Sequence, residues 1–262
     1  MIYQKVCIAN VNKNIANLPL ISIITATFNT ASDLPRLIEA LRNQTNKNFE
    51  WVVADGGSTD KTLECLTQIE DINVLLDSRP DFGIYDALNR AIKLSSGDYY
   101  LVLGADDELY ADSIDRFMKC VQEQNFPDLI VANVEKDDGL VLRPVKKWKF
   151  LYSQRAYVAS HAVGTLIKKN LHSHFGYYSS KFPIAADQFF LKKVGDAGCT
   201  IKYAEFIAGK FGSQGVSNSD MLGSLTEFFR IQIMTGECKY IQVVIYFLRV
   251  LKNIRRFGRA QG

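Results

Sequence analysis

The stretch from Asp77 to Tyr110, DSRPDFGIYDALNRAIKLSSGDYYLVLGADDELY, sets the strongest limits on how this chain can fold. It reads as a strand end, an acidic glycine turn, a helix, a second strand and an acidic loop. The helix is legible from Ile84, Leu88, Ala91 and Ile92 at helical spacing, with Ser95-Ser96-Gly97 as its stop. Tyr99 to Leu103 is apolar throughout, as expected of a strand covered on both faces. Gly104-Ala105-Asp106-Asp107-Glu108 follows at once. Three acids next to a buried strand repel one another and need solvent, a cation or both, which points to a metal and phosphate site.

The segments before this stretch repeat its rhythm. Pro19 to Asn29 reads as a buried strand, and the helix after it is marked by Ser32, Asp33 and Pro35, with Leu34, Leu37, Ile38 and Leu41 inward. Phe49 to Ala54 is the next strand. A turn at Gly56-Gly57 then leads to a helix opening at Ser58 or Thr59, with Leu63, Leu66 and Ile69 inward. Ile72 to Leu76 is a third strand, and Ala111 to Gln124 a helix with Ile114, Phe117, Met118 and Val121 on one face. This alternation predicts an α/β domain with a mostly parallel central sheet and helices on both faces, its ligands beyond the strand C-termini, where Asp55, Asp81 and Asp106 fall.

Beyond Asp128 the texture changes. DLIVANVEKDDGLVLRPV reads as a hairpin, Val163 to Ile167 and Thr200 to Ile207 as strands, and Ala186 to Val194 as a helix. Phe211 to Asp220 is a glycine- and serine-rich loop, and Met221 to Phe257 a helical extension. The expected division is 1–217 as one α/β domain, with a nucleotide half at 19–110 and an acceptor half at 111–217, followed by the extension at 218–262.

Composition bounds the function classes. The chain has 262 residues, 47% hydrophobic and 23% charged, with a net charge of +3. That excludes a disordered chain and gives no argument for nucleic acid. Five cysteines without CxxC spacing suggest neither a disulfide framework nor a zinc site. No apolar run has the length of a spanning helix, and the first residues lack a signal-peptide core, so a cytoplasmic body is expected.

Several motifs carry chemistry, each with a plainer alternative. DGGSTDKT is a phosphate cradle at a helix N-terminus or an ordinary turn with a capped helix, and Asp55 suits a base or ribose contact. Asp106 and Asp107 are hard-oxygen ligands for Mg²⁺ or Mn²⁺ or a solvated acidic loop. Asp187, between Ile184-Ala185-Ala186 and Phe189-Phe190, is a general base or a helix-capping acid, and its local sequence favours the cap. His172 and His174 read as surface residues, whereas His161 is a structural histidine or a ligand contact.

In order and spacing, ISIITATFN, VVADGGSTDKT, PDFGIYDALNRAI, SSGDYYLVLGADDEL and FPIAADQFFL resemble glycosyltransferase family 2, the inverting enzymes of the GT-A fold, over about Pro19 to Ser217. The resemblance implies a GT-A-like domain that binds a nucleotide-sugar donor, UDP-linked by expectation. Thr27, Asn29, Asp55, Asp81, Gly83, Asp86, Asn89 and Ala105 would lie along the donor. Asp106 would be the last acid of the metal motif and Asp187 the catalytic base. His161, Ser217 and Asp107 would be acceptor or diphosphate contacts. The sequence departs from the pattern at Gly104, where the motif's first acid is expected, and at Ala186, where the base is usually preceded by an acid. The QxxRW motif of processive synthases is absent, which implies single additions to a glycan or lipid-linked acceptor. A catalytically inactive sugar-nucleotide or partner-binding module on the same fold and a nucleotidyltransferase are the alternatives.

The last helix is expected over KYIQVVIYFLRVLKNIRRFGRA, with an apolar stripe at Tyr240, Val243, Val244, Phe247, Val250, Leu251 and Ile254 and bases at Arg249, Lys252, Arg255, Arg256 and Arg259. Such a stripe fits a helix lying on the inner face of a membrane or one packed on protein.

Overall fold

A computed structural model describes residues 21–159, 162–212 and 220–257, with the backbone alone for 255–257. His161 and Ser217 lie outside the described residues. So does the expected boundary after residue 217.

The first half is built as the alternation demands. Strands β1 (Ile21–Thr27), β2 (Phe49–Asp55) and β3 (Val74–Ser78) are parallel, and β4 (Tyr99–Val102) joins β1 on its other side, also parallel. Helices α1 (Leu34–Arg42), α2 (Thr62–Thr67), α3 (Ile84–Leu94) and α4 (Ser113–Glu123) alternate with the strands. On α1, Leu34, Leu37, Ile38 and Leu41 are buried, and on α4 so are Ile114, Phe117, Met118 and Val121.

Past β4 the sheet becomes mixed. The short β5 (Glu108–Leu109), β6 (Leu129–Lys136), β7 (Val141–Leu142), β8 (Thr165–Lys168) and β9 (Ile201–Phe211) complete it, in the order β3-β2-β1-β4-β8-β6-β9-β5, with β7 against β6. β8 lies antiparallel between β4 and β6, but the long β6–β9 ladder is parallel again. Most paired residues therefore stand in parallel ladders. Trp51, Tyr99, Tyr100, Phe117, Phe182 and Phe190 are the largest apolar side chains in the core.

Short helices α5 (Lys149–Tyr152) and α6 (Leu171–Phe175) precede α7 (Ala186–Asp196), and α8 (Met221–Met234) and α9 (Lys239–Phe257) end the described chain. Among the described residues no helix is long and apolar enough to cross a membrane.

Two local expectations are corrected. Helix α2 begins at Thr62 rather than Ser58 or Thr59, because Ser58 and Thr59 are held by groups from other loops. Ile84 is 45% exposed instead of buried, since the first turn of α3 stands above the sheet edge, where a cleft opens.

Candidate active site

The parallel register places Thr27 beside Asp55 and Asp55 beside Ser78, one row across the C-terminal ends of three strands. Asp55 is fully buried there. Its carboxylate accepts from Thr27 Oγ1 (3.1 Å), Ser58 Oγ (2.5 Å), Ser78 Oγ (2.8 Å) and the amides of Gly57 (3.0 Å) and Ser58 (2.9 Å). Burial alone would raise its pKa, yet these donors outweigh it and hold the carboxyl below its ordinary value. Protein donors thus occupy the lone pairs of Asp55, which organises the loops around it.

Asn29 has φ of 52° and turns its side-chain oxygen to the amides of Thr59 (2.9 Å) and Asp60 (3.3 Å), tying the first loop to the second. Asp81 accepts from the amide of Gly83 at 2.9 Å and stands 3.6 Å from the guanidinium of Arg90. Gly56 permits this close approach, since a Cβ there would lie 2.7 Å from Asp81 Oδ2 and 3.3 Å from the Phe28 ring. Arg90 itself is buried, paired with Asp77 at 2.7 Å, and donates to the carbonyl of Asp55 at 3.2 Å. It thus ties the end of β2 to the segment after β3.

The acidic loop is split between its two aspartates. Asp107 is 1% exposed and accepts from the amides of Gly104 (2.6 Å) and Gly212 (3.2 Å), so it closes the loop upon itself and upon the end of β9. Asp106 is half-buried and lines a cleft of about 190 Å³, together with Tyr85, Leu103, Tyr178, Asp187 and Gly212 among others. Arg36 donates to the backbone carbonyl of Asp106. Gly212 passes so close that a Cβ on it would lie 2.0 Å from Asp106 Oδ2 and 2.8 Å from its Cβ. Ala105 is buried in the core.

Asp187 lines the same cleft from the first turn of α7, where a helix N-terminus favours negative charge. Tyr85 fixes its orientation, donating to Asp187 Oδ1 at 2.5 Å, and its hydroxyl oxygen also lies 2.9 Å from the carbonyl oxygen of Ile184. Burial, reinforced by the Asp187 charge, pushes the Tyr85 phenol well above its ordinary pKa, so it stays a proton donor to Asp187. The amides of Ile184 and Ala185 donate to Glu227 of α8 at 3.1 and 2.8 Å. Burial raises the Glu227 carboxyl despite those amides and Arg230.

A second cleft of about 230 Å³ adjoins the first and shares Ile84, Tyr85 and Tyr178 with it; Gly83, Asp86, Asn89 and the exposed Phe82 also line it. Asp86 accepts from the amide of Phe82 at 3.3 Å. Asn89 pins Tyr178 by bonding both its carbonyl (2.8 Å) and its amide (2.9 Å). The Tyr178 hydroxyl meets Tyr100 at 3.1 Å, and Tyr100 meets His172 Nε2 at 2.8 Å. His172 is therefore buried, 4% exposed, and not the surface residue its sequence suggested.

The geometry brings Asp106, Asp107 and Asp187 to one cleft and Gly83, Asp86 and Asn89 to the next, with Thr27, Asn29, Asp55 and Asp81 in the adjoining loop cluster. Tyr85, Arg90, Tyr178 and Glu227 were not singled out from the sequence. Tyr85 and Arg90 lie within PDFGIYDALNRAI, next to residues that were. Among the described residues no group of three or more His, Cys, Asp or Glu side chains converges to hold a metal ion. Asp106 offers one hard-oxygen carboxylate to the cleft, a donor set that fits Mg²⁺ or Mn²⁺ only when phosphates and water supply the other ligands.

The fold is that of glycosyltransferases of the GT-A kind. A crystal structure of S. aureus TarS 1-349 in complex with UDP-GlcNAc superposes with a TM-score of 0.71 at 19% identity, covering 92% of this chain and 76% of that one. A mannosyltransferase from Pyrobaculum calidifontis in complex with GDP-Man and Mn²⁺ gives 0.62 at 15% identity, covering 92% of this chain and 76% of its own. In sequence, a PGL/p-HBAD biosynthesis glycosyltransferase of Mycobacterium bovis is 40% identical over 121 residues, 44% of this chain and 47% of that protein, so the chain spans about half the length of such relatives. A chondroitin synthase of Pasteurella multocida is 30% identical over 141 residues, 50% of this chain and 14% of the synthase. The family model described as glycosyl transferase family 2 matches residues 22–183, and the chain belongs to that family.

Proposed function

We propose that the chain transfers a sugar, with inversion, from a nucleotide-sugar donor to a hydroxyl of a glycan or lipid-linked acceptor in cell-surface polysaccharide synthesis, in the cytoplasm. The observation that carries this reading is that Asp106 and Asp187 line one cleft, with the Asp187 carboxylate oriented by Tyr85. Residues 1–217 would form the catalytic domain and 218–262 a helical extension.

In this reading Asp187 takes the proton of the acceptor hydroxyl as its oxygen bonds to the anomeric carbon. The bond from that carbon to the donor's phosphate oxygen breaks on the opposite face. Its electron pair leaves with the nucleoside diphosphate, and the stereocentre inverts. Tyr85 keeps Asp187 aimed through its donated hydrogen bond. Asp106 would hold Mn²⁺ or Mg²⁺, which when bound would neutralise charge developing on the leaving group. Gly83, Asp86 and Asn89 border the donor path, and Thr27, Asn29, Asp55 and Asp81 shape the nucleotide end. UDP is the favoured nucleotide, since the superposition on the protein crystallised with UDP-GlcNAc has a TM-score of 0.71, against 0.62 for the one crystallised with GDP-Man.

The test is incubation with a panel of sugar nucleotides and Mn²⁺ while release of the nucleoside diphosphate is followed. Slow hydrolysis of one donor is expected. Binding of a donor without release would leave a binding module instead.

A further inference from the structure

Helix α9 is inverted in the way it meets the domain. Gln242 is 1% exposed and donates to the carbonyl of Phe150 at 2.7 Å. Arg249 donates to the carbonyl of Leu151 and lies over the Phe228 ring, 4.0 Å from its centroid. Tyr246 packs against Phe229, with ring centroids 5.2 Å apart, and meets the Thr226 hydroxyl. The face turned inward is thus largely polar or amphipathic. Tyr240, Ile241, Val243, Val244, Phe247, Leu248, Leu251 and Ile254 are all exposed, from 41% to 72%.

An apolar stripe of this size facing outward marks a docking surface. Its charge identifies the occupant. From Lys239 onward the sequence carries Lys239, Arg249, Lys252, Arg255, Arg256 and Arg259 and no Asp or Glu. Lys239 and Lys252 are exposed on the helix itself. Trp148 and Phe150 are exposed beside the segment that α9 bonds, and Lys147 lies 5.1 Å from the Trp148 ring centroid. Two copies joined through this face would set like charge against like. An anionic bilayer instead receives the apolar stripe at its acyl boundary and Lys239 and Lys252 among its headgroups, in a segment whose formal charges are all basic.

We propose that α9 docks on an anionic membrane surface through Val244, Phe247, Leu251 and Ile254. This deepens the proposed function by giving a lipid-linked acceptor a surface on which to meet the cleft. The coupling is short: α9 packs on α8, and Glu227 of α8 accepts the amides at the start of the helix that carries Asp187.

The full chain should sediment with phosphatidylcholine vesicles containing phosphatidylglycerol and not with phosphatidylcholine alone. High salt should weaken binding on the order of tenfold or more. The double variant Phe247→Glu, Leu251→Glu should lose binding by a similar factor while keeping the native melting temperature, since both side chains are already solvent-facing. Sedimentation velocity without lipid should give the same species for both proteins. Absence of vesicle binding, binding that the double variant retains, or a native dimer that the variant converts to a monomer would each overturn the proposal. Donor hydrolysis by the same proteins separates this inference from the one it rests on: the variant should hydrolyse donor as the native chain does. Vesicle binding by a native chain that hydrolyses no donor would sink the transferase reading and leave the docking surface standing.

Discussion

The Tyr85 hydroxyl donates to the Asp187 carboxylate at 2.5 Å across a separation of 102 residues. Helices α3 and α7 are joined by this contact, at the wall of the cleft that Asp106 also lines. Removing the hydroxyl in Tyr85→Phe takes away the bond that orients Asp187. The kcat should then fall on the order of tenfold, the size of one hydrogen bond to a charged group. Donor KM should change little. An unchanged kcat would mean that Tyr85 only fills space.

Asp106→Ala should abolish transfer and weaken metal-dependent nucleotide binding, as isothermal titration with and without Mn²⁺ would report. Asp107→Ala should act differently. Its carboxylate bonds the amides of Gly104 and Gly212 inside the loop, so its loss should lower stability by about 1–3 kcal/mol in denaturant titrations. Equal loss of metal-dependent binding in both variants would contradict this division of labour.

Arg90 is buried against Asp77 at 2.7 Å with side-chain exposures of 7% and 10%. Arg90→Met should cost about 3 kcal/mol in chemical denaturation, because it leaves the buried Asp77 carboxylate with only the half-exposed Arg79 guanidinium at 3.5 Å. Adding Asp77→Asn should restore part of that loss. A single variant as stable as the native chain would show that the pair is dispensable to the loops above it.

Much of the fold is legible in sequence because burial imposes a period. Leu34, Leu37, Ile38 and Leu41 recur on one face of α1, and Phe49 to Ala54 is apolar but for Glu50, as suits a strand covered on both sides. What escaped depends on partners distant in sequence. Ser58 and Thr59 read as helix-capping residues, but Asp55 and Asn29 take their polar groups, so α2 starts later. Ile84 fits the helical stripe, yet its turn overhangs a cleft. Nothing near His172 announces burial, because the group that satisfies it, Tyr100, lies 72 residues away. Glu227 is equally opaque, since the amides it accepts belong to residues more than forty positions earlier. The apolar stripe of α9 was visible from its spacing, but whether it faced the domain was not, because a stripe carries no record of what covers it.

Burial lowers the His172 pKa below its ordinary value near 6.5. The neutral ring donates from Nδ1 to the carbonyl of Gly176 at 3.0 Å and accepts from Tyr100 at Nε2. As pH falls through about 6.5, the unfolded chain takes up this proton before the folded one does, so stability should fall with pH and level off only below the depressed folded value. Thermal melts between about pH 7.5 and about pH 5 should show this slope in the native protein and a shallower one in His172→Gln. Parallel slopes would contradict it.

The central claim is that Asp187 is the proton acceptor in transfer from a nucleotide sugar. The most direct measurement compares the native chain with Asp187→Asn, recording donor affinity by titration and nucleoside diphosphate release in the same buffer with Mn²⁺. The isosteric amide cannot take a proton, so donor affinity should be unchanged and release should fall on the order of 10²-fold or more. Release at the native rate, or a loss of donor affinity equal to the loss of rate, would contradict the account.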